Sequence, residues 1–171
     1  GPIWDFNLGY GNEDFCDAGS PYGWAFNLRH VCGAPFPFFW SQLVSHAEFR
    51  NEFNCRWNEL RSTVLHTDTI HHYIDSMVLL TTDARIRNFD KWDNVIGQHV
   101  WPNTYVGATY QDEINFLKTW ISDRLNWMDT NMIGTSANCI TGTGKQVLKE
   151  NIKVYPNPFD QYLSFETDAN E

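Results

Sequence analysis

In the opening stretch "GPIWDFNLGYGN", Asp5 directly follows an apolar run, with Phe6 behind it and Gly9 and Gly11 ahead. A carboxylate at the end of a buried strand, with glycines in the next turn, suits a hard cation such as Mg²⁺. One or two carboxylates and phosphate oxygens complete the coordination of that ion. Asn7 would add an oxygen or orient a ligand. The alternative for Asp5 is an ordinary turn-forming acid. A calcium loop is excluded: an EF-hand counted from Asp5 needs Gly at its sixth position and Glu at its twelfth, where Tyr10 and Cys16 stand.

Other site chemistries find no pattern. His66, His71 and His72 are spaced by five and six, which does not place a metal pair on one helix face, and no H-E-x-x-H occurs. They read as a solvated helix face, and His30, His46 and His99 stand alone. There is no G-x-x-x-x-G-K-[ST] loop and no G-x-S-x-G elbow. The four cysteines form no C-x-x-C pair, so a structural zinc site is not expected. Cys16 and Cys32 flank a Gly/Pro-rich stretch that a disulfide would close, contributing roughly 3 kcal/mol by loop entropy. Free buried thiols are the alternative. Cys55, beside Arg56 and Trp57 in a predicted helix, reads as packed rather than bridged.

The elements that must position Asp5 are mostly helical. A short strand at the start leads into a long loop to about residue 36, whose aromatics (Tyr10, Phe15, Tyr22, Trp24, Phe26) argue that it is packed. "FPFFWSQLV" gives a short apolar helix. The next helix is expected from a capping box at Ser45 and Glu48, with Phe49, Phe53, Trp57, Leu60 and Val64 as its apolar stripe and Glu52–Arg56 as a supporting pair. A second long helix, "DTIHHYIDSMVLLTTDARIRNF", would be capped by Thr67 or Asp68 and turn Ile70, Tyr73, Ile74, Met77, Val78 and Ile86 inward. The third, "YQDEINFLKTWISDRLNWMDTNM", would be capped by Thr109, carry Asp112 and Glu113 in its first turn, and bury Ile114, Leu117, Ile121, Leu125 and Met128 before Gly134 ends it.

With 171 residues and 42% hydrophobic content, the chain can bury a core as one domain with a small appendage. Its net charge of −9 argues against a nucleic-acid partner. No apolar run approaches the ~20 residues of a transmembrane span.

Several of these stretches, in this order, resemble the CotH family of atypical secreted or spore-coat protein kinases. "GPIWDFNLGYGN" is similar to the family's strand-Trp-Asp-Phe-Asp segment, and "PFFWSQLVSHAEFRNEFNCRWNELR" to its helix with Arg-Trp and Leu-Arg landmarks. "IDSMVLLTTDARIRNFDKW" and "YQDEINFLKTWISDRLNWMD" resemble the two following helices. The resemblance covers about residues 1–133. It implies a mainly α fold, the helical C-lobe of an atypical kinase-like protein with a short N-terminal β segment. It also implies Mg²⁺ and ATP as cofactors, with Asp5 as the metal ligand and Asn7, where the family often has Asp, as a weaker candidate. The ATP-gripping lysine and the catalytic-loop aspartate that such kinases need cannot be placed in these residues. The chain is therefore expected to be part of a longer protein and inactive by itself.

After a linker over residues 134–150, "NIKVYPNPFDQYLSF" turns to strand chemistry. It is similar to the opening of the C-terminal sorting domain read by the type IX secretion system, a β-sandwich that residues 151–171 would begin and not complete. That implies export across the outer membrane to a secreted or cell-surface location, with the type IX machinery as a partner and no transmembrane segment. The function expected is a kinase transferring the ATP γ-phosphate to Ser/Thr of a protein substrate. The second expectation is a non-enzymatic cell-surface module, an adhesin or a pseudokinase, using the aromatics of loops 10–40 and 92–109.

Overall fold

The longest helix starts where its first turn closes on itself. In the computed structural model, which describes residues 7–17, 19–27, 38–137, 139, 153–155 and 164–166, α5 spans Tyr110–Asn131 behind the N-cap Thr109. The Thr109 hydroxyl accepts the Asp112 N–H at 3.2 Å, and the Asp112 carboxylate accepts the Thr109 N–H at 2.8 Å, satisfying two donors that the helix cannot. Thr109→Ala is expected to cost about 1 kcal/mol, read as a lower midpoint in urea unfolding at unchanged slope.

α5 buries Ile114, Ile121 and Leu125, as its 3.6-residue periodicity predicts, with Leu117 and Met128 partly buried beside them. The core joins Ile121 and Leu125 to Trp57 of α2 (Ala47–Arg61), with Leu65 and, from α3 (Thr67–Leu80), Ile70 and Ile74 packed against it. One polar node pins this junction. The buried Trp57 indole N–H donates to Asp129 Oδ1 at 2.9 Å, and the Arg61 guanidinium grips the same carboxylate at 2.9 Å from both Nε and Nη2. The Arg61 hydrogen bonds, more than the indole's, hold the Asp129 carboxyl below its ordinary value against the opposing effect of burial.

Asp129→Ala leaves the indole N–H without its acceptor and is expected to cost about 2 kcal/mol. Because the folded pKa of Asp129 is depressed, its contribution is full above the ordinary aspartate value near 4. It is lost as pH falls through the lower folded value. Urea midpoints of wild type and variant should therefore converge in strong acid.

Local signals failed where neighbouring elements intervened. Ser45 does not cap α2, because α1 (Phe38–Ser45) runs on through it, and its hydroxyl donates back to Gln42 O at 2.7 Å. His46 takes the N-cap position with no side-chain bond. Arg56 pairs with Glu59 at 2.6 Å rather than with Glu52. The second long helix is two helices, α3 and α4 (Thr82–Lys91), and the cap of α3 is His66, whose Nδ1 accepts the Asp68 N–H at 3.3 Å. At the break, the Thr81 and Thr82 hydroxyls donate to Met77 O and Leu79 O, both at 2.8 Å, offering the backbone an alternative to continued helix.

α3 meets α5 along one edge only. There Ile70 and Ile74 pack, Asp75 pairs with Lys118 at 2.6 Å, and His71 Nε2 lies 3.2 Å from Lys118 O. Tyr73, Met77 and Ile86, expected inward, are exposed, as are Phe49, Phe53 and Val64 of the α2 stripe.

The segment leaving α5 is secured to one face of α2. Gly134, at φ +79°, packs so closely on the Arg50 carbonyl that a Cβ would overlap it. Asn54, buried, donates to Ile133 O at 3.2 Å and to Gly134 O at 3.3 Å, and Asn51 accepts the Thr135 N–H at 2.9 Å. A disulfide from Cys55 to Cys139 completes the attachment. Cys55 is thus bridged, contrary to the expectation that it is merely packed. A helical pattern carries no record of a partner 84 residues away.

The chain divides into two units, Gly1–Cys139 and Ile140–Glu171. Within the second, β1 (Lys153–Tyr155) pairs antiparallel with β2 (Ser164–Glu166), Val154 opposite Phe165. The strand expected ahead of Asp5 lies outside the described residues. Among the described residues, no helix is long and apolar enough to cross a membrane.

Candidate functional site

Asp5 lies outside the described residues, and so does the Asn7 side chain. Cys32 does too, so the expected Cys16–Cys32 bridge is not described. What the structure describes is how the chain immediately beyond Asp5 is held. Asn7–Tyr10 forms a 3₁₀ turn that lies against α5. Gly11 follows, buried and at φ +83°, where a Cβ would overlap the Trp120 indole. Only glycine combines that dihedral with that approach. The Tyr10 ring meets Trp120 edge-on at 6.1 Å, and the indole N–H donates to Gly19 O at 2.7 Å. One tryptophan of α5 therefore holds both ends of the loop that follows the Asp5 segment.

The same loop is tied to residues 92–109. The Thr104 hydroxyl donates to Glu13 O, Phe15 stacks on Trp101 at 6.0 Å, and Asp14 lies 3.8 Å from His99 Nε2. Burial, with a smaller effect of Asp14, pushes the Glu13 carboxyl above its ordinary value. Farther along, Arg124 donates to Pro21 O at 3.0 Å and Gly23 O at 2.6 Å. Its guanidinium sits over the Trp24 and Trp127 rings at 5.5 and 4.9 Å. Arg124 thus satisfies backbone carbonyls, and burial lowers its pKa.

The aromatic residues of the loops are largely engaged in this packing. Trp24 contacts Phe26, Phe53 and Trp127, and Tyr105 stacks on Phe116. Among the described residues an open cleft of about 390 Å³ is bordered by Trp24, Phe26, Trp40 and Phe53, and another of about 350 Å³ lies beside Tyr10. Among the described residues, no group of three or more His, Cys, Asp or Glu side chains could hold a metal ion. The hard oxygens expected to hold Mg²⁺, those of Asp5 and Asn7, would need phosphate oxygens to complete a shell.

Sequence reasoning missed the contact of Trp120 with Gly11 and Gly19. The signal was the second glycine of "GYGN", a position that demands close approach by another element. It also missed the polar groups of the cleft beside Tyr10, which come from three separate segments.

A family model described as CotH kinase protein matches residues 1–128, three quarters of the 171-residue chain. No curated protein matches the chain. No solved structure does either. The match begins with the Asp5 segment and runs through most of α5, and on it the chain belongs to the CotH kinase protein family.

Proposed function

We propose that this chain is part of a CotH-type protein kinase that transfers the ATP γ-phosphate to Ser/Thr side chains, with Asp5 as a ligand of the Mg²⁺ that accompanies the nucleotide. Membership of a kinase-like family implies ATP and a divalent cation in general. The observation that carries the reading is that the family match includes Asp5. Phosphoryl transfer asks little covalent chemistry of the protein; it asks for positioning and neutralisation of charge. When bound, the cation would supply that neutralisation. Asp5 would hold it, Asn7 would contribute or orient an oxygen, and the loop secured by Trp120 and Gly11 would limit how far the Asp5 segment can move.

The lysine and catalytic-loop aspartate used by such kinases have no counterpart that can be placed in residues 1–171. These residues alone are therefore expected to turn over no ATP. Export through the type IX route is part of the same proposal. Its support is the "VYPNP" run at 154–158, near the antiparallel strands 153–155 and 164–166.

The test is phosphate transfer from γ-labelled ATP by the intact gene product, with and without Mg²⁺. Label on Ser or Thr that disappears with EDTA is the expected result. No transfer with any nucleoside triphosphate and divalent cation overturns the reading.

A further inference from the structure

The cleft beside Tyr10 has an unusual combination of walls. Tyr10, Tyr105, Phe116 and Leu117 form an apolar side, with Tyr105 and Phe116 stacked nearly parallel at 4.4 Å. Asn12, Asn103 and Glu113 form the polar side. Glu113 Oε1 accepts the Gly107 N–H at 2.6 Å, which anchors the carboxylate, while its second oxygen accepts no hydrogen bond from a described residue. The side-chain amides of Asn12 and Asn103 bond to no other described residue. At about 350 Å³ the cleft falls within the ~300–1,000 Å³ range of small-molecule sites.

The chemistry of the walls selects the ligand. Among the described residues no Lys, Arg or His lines the cleft, and Glu113 repels anions, so phosphates and carboxylates are disfavoured. A purely apolar ligand would strip water from three polar side chains without replacing their hydrogen bonds. A cation could use Glu113 but leaves the amide N–H donors idle. A neutral ring carrying neighbouring hydroxyls meets every requirement: hydroxyls donate to the carboxylate and amide oxygens and accept from the amide N–H groups. Its C–H face lies against electron-rich aromatic surface. We infer that this cleft is a binding site for a neutral carbohydrate, recognised by Asn12, Asn103 and Glu113 against the Tyr10, Tyr105 and Phe116 rings. This goes beyond phosphate transfer and does not depend on it.

The experiment is a titration of the full chain with glucose, galactose and N-acetylglucosamine, followed by the ¹⁵N-edited NMR signals of the Asn side-chain amides. At least one sugar should shift the Asn12 and Asn103 signals with an affinity of about millimolar order, usual for a single open subsite. Asn12→Ala and Asn103→Ala, which break no side-chain bond to a described residue, should each weaken it about tenfold while leaving the melting temperature unchanged. Glu113→Gln still accepts the Gly107 N–H through its amide oxygen and should weaken a neutral sugar only a few-fold. Failure of all three sugars to shift these signals overturns the site, as does wild-type affinity in both alanine variants. Binding of butylammonium in place of the sugars, lost in Glu113→Gln, identifies a cation site and overturns it equally.

Discussion

Asp5→Ala in the intact gene product is expected to reduce Mg²⁺-dependent phosphate transfer on the order of a thousandfold, with the melting temperature unchanged. The size follows from the role. A carboxylate on the cation sets where positive charge meets the phosphates, and one misplaced electrostatic group in a water-poor site is worth several kcal/mol of barrier. Asp5→Asn keeps an oxygen donor but removes the charge and should fall nearly as far. The described core of α2, α3 and α5 lies elsewhere in the chain, which is why folding should survive. Rates are measured across a Mg²⁺ titration, because a ligand defect shifts the half-saturating concentration whereas a loss of folded protein only lowers the plateau. Transfer by Asp5→Ala at the wild-type rate removes Asp5 from the metal site, even if the protein is a kinase.

The largest stability effect is expected at the Cys55–Cys139 disulfide. It closes a loop between residues 84 apart, for which chain entropy alone gives about 4.5 kcal/mol of constraint on the unfolded state. Against a total stability of ~5–15 kcal/mol for a domain of this kind, that is a substantial fraction. The described core is small, with only Trp57, Ile114, Ile121 and Leu125 as its buried apolar residues. Cys139→Ser should lower the urea midpoint of the first unit by an amount equivalent to about 3–4 kcal/mol. Cys55→Ser should do the same, and the double variant should add nothing further. Because Asn51 and Asn54 also hold residues 133–135, amide exchange in that segment should rise in either variant before the core opens. An unchanged midpoint in non-reducing buffer would show that the bridge contributes nothing to the fold.

How much was legible beforehand depended on the range of the interaction involved. Thr109 and Asp112 are three residues apart, and Ile114, Ile121 and Leu125 repeat along one helix, so cap and buried face could be read from the string. Ser45 misled because an acceptable cap signal lay inside the end of α1. The α3–α4 break misled because periodicity continues through Thr81 and Thr82, while their hydroxyls bond back to the preceding turn. Tyr73 and Ile86 kept the spacing of inward residues, yet the described elements cover only one edge of α3.

By itself, then, the sequence determined the helical class and the extent and cap of α5. These are local or summed properties, set by backbone hydrogen bonding, side-chain periodicity and charge. Only the tertiary structure decided that Cys55 meets Cys139, that Arg61 and Trp57 share Asp129, and that Trp120 reaches Gly11 and Gly19. Those partners stand 68 to 109 residues apart. Each pairing is chosen by which helix faces come together, and no short stretch of sequence encodes that choice.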